Sequence, residues 1–129
     1  YGILDCRERT FTYVRAGHEI PLFFAPNGKA VALEQGQGQA LGLLDRVELE
    51  ERTLTIPPGG CLLLFSDGAT DAVNPQGERF LYERLNQAAI EHRALPAQEC
   101  CERILQDIET FQGSASQADD IALVLICGK

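Results

Sequence analysis

The sequence has 129 residues, and we expect one domain with one hydrophobic core over residues 1–129. Its 45% hydrophobic and 23% charged residues are typical of a soluble globular domain, and no stretch approaches the roughly 20 apolar residues of a membrane span. The net charge of −8 repels phosphate backbones, which argues against nucleic acid as a partner. Such acidity suits the collection of divalent cations on carboxylates, although solubility alone accounts for it.

The first 33 residues predict β-strands. Residues 1–5 look like a strand rather than a signal peptide, and residues 10–14 alternate and are rich in β-formers. Asn27-Gly28 separates two apolar runs and predicts a hairpin, because both residues tolerate positive φ. Residues 34–45 are rich in glycine and predict a loop.

The middle of the chain predicts two further strands. Residues 47–56 alternate weakly and are broken by residues 57–60, which read Pro-Pro-Gly-Gly. Residues 61–65 form a continuous apolar run, which is typical of a strand buried on both faces. This run stops sharply at Ser66-Asp67-Gly68.

Two helices and a last strand complete the chain. Residues 78–91 predict a helix with Leu81, Leu85, Ala88 and Ala89 towards one face, and Pro96 is well placed to open the next helix. That helix carries an apolar stripe and ends at Gly113, and residues 121–126 predict the closing strand. The order predicts an α+β fold with antiparallel sheet covered by amphipathic helices. The stripe consists of Cys100, Cys101, Ile104, Leu105, Ile108 and Phe111.

The five cysteines form no CxxC pair and no short disulfide framework. We therefore expect buried, reduced thiols and a cytoplasmic protein. The chain contains no methionine, and we expect it to be a segment of a longer polypeptide.

Asp67 is the first candidate metal ligand. A carboxylate at the end of a buried strand is held rigidly, and Gly68 lets other groups approach it closely. By itself the motif is more often an ordinary Asp-Gly turn. Asp119-Asp120 precedes the last strand, and two adjacent like charges repel each other unless water or a cation neutralises them. A solvated loop is the ordinary interpretation of that pair.

The two histidines are weaker candidates. His18 follows Ala16-Gly17 and is more often a structural residue at a strand end than a ligand or base. His92 lies in a helix-end context that predicts a solvated side chain. The sequence contains no GxSxG, no GxxxxGK[ST] and no HExxH motif, which disfavours several common catalytic classes.

Taken in order, these segments resemble the sporulation stage II protein E branch of the type-2C (PPM) metal-dependent protein-serine/threonine phosphatases, specifically the C-terminal half of the catalytic domain. The similarity covers nearly the whole chain and favours the metal-ligand interpretation of the aspartates. It rests on Thr12-Tyr13-Val14, Ala16-Gly17-His18, Pro21-Leu22, Ala40-Leu41-Gly42-Leu43, residues 58–68, Thr70-Asp71-Ala72, Asn74, Gly77-Glu78, Phe80, Arg84-Leu85 and residues 117–121.

The sequence departs from the family pattern at a few positions. Asp71 stands where Glu is usual, Leu81 where Gly is common and Ala122 where Thr is common, and none of these removes a metal ligand. The family's earlier segment Asp-Val-x-Gly-His-Gly, whose Asp bridges two metal ions, has no match here. We therefore expect half of an α/β/β/α sandwich, and we expect the chain alone to be inactive.

The resemblance implies two Mn²⁺ or Mg²⁺ ions in the complete domain and a metal-bridged hydroxide that attacks phosphoserine or phosphothreonine. Asp67 and Asp119 correspond to metal ligands and hence to the catalytic residues, and Asp120 corresponds to a residue that orients Asp119 or a metal-bound water.

The implied substrate is a phosphorylated bacterial regulatory protein, such as an anti-anti-sigma factor in sigma-factor signal transduction, and the implied parent chain carries an upstream sensor or receiver domain. The alternative is a degenerate, non-catalytic domain that binds a phosphoprotein or partner.

Overall fold

The computed structural model describes residues 1–34, 36–43 and 45–129. Gln35 and Leu44 of the predicted loop lie outside the described residues. None of the helices in the described part is long and apolar enough to cross a membrane. The elements are β1 (Gly2–Asp5), β2 (Thr10–Val14), β3 (Leu22–Phe24), β4 (Ala30–Val31), β5 (Glu51–Thr55), β6 (Cys61–Phe65), α1 (Asp67–Thr70), α2 (Leu81–His92), α3 (Ala97–Gln112) and β7 (Leu123–Cys127).

The strands form two antiparallel sheets, which we call sheet A and sheet B. Sheet A has the order β1-β2-β5, and sheet B has the order β4-β3-β6-β7. The Asn27-Gly28 hairpin is confirmed, because β3 pairs with β4 and Gly28 has a φ of 77°. The predicted α+β class with antiparallel sheets and flanking helices is likewise confirmed.

Strand β6 joins the two hydrophobic cores because its side chains alternate between its faces. Cys61, Leu63 and Phe65 pack towards α2 and α3 in the larger core. Leu62 is fully buried in a smaller core between the two sheets, where Phe11 of β2 meets it. The layers therefore run sheet A, sheet B, helices, which explains why the sequence of β6 is continuously apolar.

The helices bury narrower faces than the sequence predicts. Helix α3 buries Cys100, Ile104 and Ile108, whereas Leu105 is 37% exposed because the stripe is wider than the face that meets sheet B. Burial raises the pKa of the Cys100 thiol to about 11. In α2 the sequence predicts that Leu81 shares the packed face of the helix with Leu85. That prediction is wrong, since Leu81 is 46% exposed at the start of the helix.

The prediction of a solvated His92 is also wrong. Its side chain is only 17% exposed, and Nε2 lies 2.8 Å from Oδ2 of Asp107. The contact joins the last turn of α2 to α3, so it fixes one end of the helix pair. At the other end the rings of Phe80 and Phe111 meet edge to face with centroids 5.3 Å apart. A guanidinium from Arg84 lies 4.8 Å from the Phe111 ring centroid.

The prediction that all cysteines are reduced is wrong for one pair. Cys61 and Cys127 are disulfide-bonded, with their Cα atoms 4.2 Å apart. They are direct partners in the β6–β7 register, and facing residues of antiparallel strands come close enough for such a bond. Because the two cysteines are 66 residues apart, no local sequence pattern predicts this pairing. Cys6, Cys100 and Cys101 are free thiols, and Cys6 is exposed, so the prediction that its thiol is buried is wrong.

Replacing Ile104 by Ala tests the packing of α3 on sheet B. Because Ile104 is fully buried in the larger core, we expect a loss of about 2–5 kcal/mol in the free energy of unfolding, measured by urea denaturation. Leu105→Ala on the exposed side of the same helix is the matched control and should change stability much less. Equal losses from both variants would show that the face of α3 has been assigned incorrectly.

Candidate functional site

The candidate site lies where β6 ends and β7 begins. These strands are antiparallel, with Phe65 opposite Leu123 as the last register pair, so the end of one strand meets the start of the other. Asp67 follows β6 after one residue, and Asp119-Asp120 precedes β7 in the opposing segment. The two candidate segments, more than 50 residues apart in sequence, are therefore neighbours at one end of sheet B.

Ser66 ties the two segments together. Its Oγ donates to the carbonyl oxygen of Asp120 at 2.9 Å and accepts from the amide of Ala122 at 2.9 Å. The amide of Ser66 donates to the carbonyl oxygen of Ala122 at 3.0 Å. This clasp of three hydrogen bonds extends the β6–β7 ladder past its last pair and fixes the backbone around Asp67 against that around Asp120.

Gly68 allows the two backbones to approach each other. A Cβ at this position would overlap the carbonyl oxygen of Asp120 and lie 2.9 Å from its carbonyl carbon, closer than real Cβ contacts allow. It would also lie 3.3 Å from the carbonyl carbon of Asp119. Glycine is therefore required here by the space that the opposing backbone occupies.

Asp67 begins α1, which is a single helical turn. The sequence predicts the end of the strand here but not this turn. Its Oδ1 accepts from the amide of Gly68 at 3.0 Å, and its carbonyl accepts from the amide of Asp71 at 2.8 Å. In the opposing segment, Oδ1 of Asp119 accepts from the amide of Asp120 at 2.7 Å. These short-range bonds restrict each side chain while leaving both residues exposed.

The donor chemistry at this position fits a hard divalent cation. Carboxylate oxygens are the ligands that Mg²⁺ and similar ions prefer, and the exposed Asp67 and Asp119 each offer a carboxylate near one end of the β6–β7 ladder. Within residues 1–34, 36–43 and 45–129, no three His, Cys, Asp or Glu side chains form a group that could hold a metal ion. Asp67 and Asp119 are therefore candidate ligands that no third side chain of the described residues joins in such a group.

The segment after α1 folds back beside the site as a short turn. Asn74 Oδ1 accepts from the amides of Gln76 and Glu78, and a bridge pairs Val73 with Arg79. The guanidinium of Arg79 then donates to Oδ1 of Asp71 at 3.0 Å, next to the end of α1.

Helix α2 starts beside the same strand end. The amide of Phe80 donates to the carbonyl of Ala72 at 2.8 Å, and the ring of Tyr82 lies 6.5 Å from that of Phe65. Partial burial raises the pKa of the Tyr82 hydroxyl, and the charge of Glu83 adds to this, so the phenol stays protonated near neutral pH.

His18 lies elsewhere, in the segment after β2. It lines a cavity of about 240 Å³ that is also lined by Phe11 and Tyr13 of sheet A. Its backbone carbonyl oxygen accepts from Nη1 of Arg15 at 3.1 Å, and the structural role expected of its side chain stays a prediction.

Ser66 is the residue that sequence reasoning missed. A serine between a buried strand and Asp-Gly was a visible signal, because its hydroxyl can bond to backbone at the end of a strand. Its partner segment could not be identified without the pairing of β6 and β7.

Comparison with known proteins finds several relatives whose alignments cover 98% of this chain. Protein IcfG of Synechocystis sp. (strain ATCC 27184 / PCC 6803 / Kazusa) is 27% identical over 126 residues. Two phosphoserine phosphatases of Bacillus subtilis (strain 168), RsbP and RsbU, are 25% and 27% identical. The chain spans only 20%, 29% and 37% of the lengths of these three relatives.

Solved structures share the fold. The SiaA-PP2C domain of Pseudomonas aeruginosa superposes with a TM-score of 0.75 at 22% identity, over 98% of this chain and 49% of that one. The phosphatase domain of the cell-fate determinant SpoIIE from Bacillus subtilis superposes with a TM-score of 0.69 at 12% identity, over 99% and 55% of the two chains. The architecture described above is therefore that of part of a PP2C phosphatase domain.

The family model for stage II sporulation protein E (SpoIIE) matches residues 1–129. Because this match spans the whole sequence, the chain belongs to the SpoIIE family.

Proposed function

We propose that this chain carries part of the active site of a metal-dependent phosphatase that hydrolyses phosphoserine or phosphothreonine on a regulatory protein. The observation that carries the proposal is the Ser66 clasp, which places the Asp67 and Asp119 segments side by side at one end of sheet B. Two phosphoserine phosphatases among the relatives support the same reaction class.

In this proposal Asp67 and Asp119 are the metal ligands. Both provide hard oxygen donors, and each belongs to a segment whose backbone is hydrogen-bonded to the other across the strand ends. Asp120 supports the site through its backbone, since its carbonyl accepts from Ser66 and its amide donates to Asp119. Mn²⁺ or Mg²⁺, when bound, supplies positive charge for the phosphoryl oxygens and lowers the pKa of a coordinated water.

The chain's own residues contribute rigidity and position. Ser66 and Gly68 set how closely the backbone after β6 approaches the backbone around Asp120, which keeps the two aspartate segments together. The exposure of Asp67 and Asp119 leaves them accessible to a phosphoserine side chain on a protein surface.

The proposed substrate is a phosphorylated regulatory protein of the anti-anti-sigma type, in the cytoplasm of a bacterium. The B. subtilis relatives RsbP and RsbU support a phosphoserine substrate, and the acidic net charge of −8 disfavours nucleic acid. The proposal extends to an upstream sensor or receiver domain in the parent chain.

Asp67→Asn in the full-length protein should abolish phosphatase activity and leave the fold intact. The amide keeps the shape of the side chain but removes the charge that holds the cation. The measurement is Mn²⁺-dependent release of phosphate from a phosphoserine protein, together with thermal unfolding. Asp107→Asn on α3, which can still bond to His92, is the matched control and should keep its activity. Turnover near the wild-type rate in Asp67→Asn would contradict the ligand assignment.

Gly68→Ala should lower the affinity for Mn²⁺ and the activity together. The added Cβ cannot fit beside the Asp120 carbonyl unless the opposing backbone moves. Calorimetric titration of the full-length protein with Mn²⁺ measures the affinity. Gly77→Ala provides a control, since a Cβ there meets nothing within 4 Å, although its φ of 83° adds local backbone strain. If Gly68→Ala binds Mn²⁺ as the wild type does, the close approach of the two segments is not needed for the site.

The 129-residue chain alone should bind Mn²⁺ weakly and turn over phosphopeptide poorly. Two carboxylates offer few oxygens to ions that take about six ligands, and two cations about 4 Å apart need more anionic compensation than this. Titration of the isolated chain with Mn²⁺, beside a phosphopeptide assay, measures both quantities. Tight binding of two ions with turnover would show that these residues hold a complete site.

A further inference from the structure

Leu81 has a backbone conformation that leucine rarely adopts. Its φ is 64°, and its side chain is 46% exposed at the first position of α2. A left-handed backbone brings Cβ too close to the next carbonyl oxygen, so glycine is favoured there and leucine is strained. Among the described residues, the other non-glycine residue with positive φ is Arg9, which lies just before β2 in the turn from β1.

The flanking residues hold Leu81 in this conformation. Phe80 is buried, its amide is bonded to the Ala72 carbonyl, and its ring packs against Phe111. On the other side, Tyr82 continues α2 and contacts Phe65. The backbone conformation of Leu81 is therefore set by its neighbours, while nearly half of its own side chain stays exposed.

Leu81 lies close to the strand end that carries Asp67. Tyr82 packs on Phe65, the residue that precedes Ser66-Asp67 along the chain. Phe80 is bonded to Ala72, which follows α1 by two residues. Two independent contacts, one through β6 and one through α1, thus bring the start of α2 to the candidate site.

We propose that Leu81 is a specificity-determining residue, whose exposed side chain contacts the polypeptide on one side of the phosphoserine in a protein substrate. This inference rests on the proposed function and adds how that site selects its substrate. Strain at a functional position persists when the surrounding structure determines it, and a large apolar side chain kept in a left-handed conformation beside a catalytic site fits that pattern.

Arg79 supplies the contact that favours a phosphorylated segment as the occupant. Arg79, two residues before Leu81, donates through Nη1 to Asp71, and its side chain is 60% exposed. A guanidinium has five N–H donors, so Arg79 retains donors for an anion. The guanidinium of Arg79 is a local positive charge close to the exposed Leu81, and the pair can contact an anionic group and an apolar residue of one peptide.

The test compares two substrates in the full-length protein with Mn²⁺. The substrates are a phosphoserine-carrying anti-anti-sigma factor and p-nitrophenyl phosphate, which has no polypeptide to contact Leu81. Leu81→Gly and Leu81→Asn, both of which tolerate positive φ, should raise KM for the phosphoprotein about tenfold, a loss consistent with one partly buried leucine. They should leave kcat for that substrate and kcat/KM for p-nitrophenyl phosphate unchanged, and they should not lower the thermal midpoint.

Leu105→Asn is the matched control, because Leu105 is an exposed leucine on α3 that is 37% accessible. It should leave KM for the phosphoprotein unchanged. An unchanged KM in both Leu81 variants, or an equal loss with p-nitrophenyl phosphate, overturns the inference. If the wild-type protein hydrolyses neither substrate, the proposed function fails. Calorimetric titration with the phosphoprotein then tests the role of Leu81 separately. We expect Leu81→Gly to bind the phosphoprotein about tenfold more weakly than the wild type. Equal affinities would contradict the role of Leu81.

Discussion

The pairing of β6 with β7 is the interaction on which the rest of the structure depends. Its register brings residues from positions 61–65 and 123–127 together, and alternate side chains of the two strands pack into the larger core on one face of sheet B and the smaller core on the other. At one end the ladder is joined by the Cys61–Cys127 disulfide, and at the other by the hydrogen bonds of Ser66. The candidate site is therefore an extension of the β6–β7 ladder.

Much of this fold could be predicted from the sequence because its signals are local. The apolar run of β6, the Asn27-Gly28 hairpin and the stop of α3 at Gly113 each follow from a few neighbouring residues, and each is present. The position of Asp67 just after a buried strand is likewise predicted by neighbouring residues alone. Its chemical role as a ligand remains a prediction, since the structure establishes the neighbourhood of the two aspartates and not a bound cation.

The features that could not be predicted are those set by tertiary contacts. Ser66 meets Asp120 across 54 positions, and Cys61 meets Cys127 across 66, so no short pattern identifies either pair. His92 was predicted to be solvated because helical periodicity says nothing about Asp107 on the next helix. Leu81 and Leu105 fit the apolar periodicity, yet each lies at the margin of the face that meets the sheet.

The two halves of the candidate site differ in what holds them. Asp67 is held within its own segment by α1, whose first carbonyl bonds to Asp71, and by the buried strand before it. Asp119 lies in a segment without regular secondary structure, which reaches the site through the bonds between Ser66 and residues 120–122. A change that loosens the β6–β7 ladder should therefore displace Asp119 more than Asp67. Under the proposed assignment a shared cation would need both carboxylates, so its affinity would depend on the less firmly held one, and the β6–β7 ladder would influence cation binding as well as the fold.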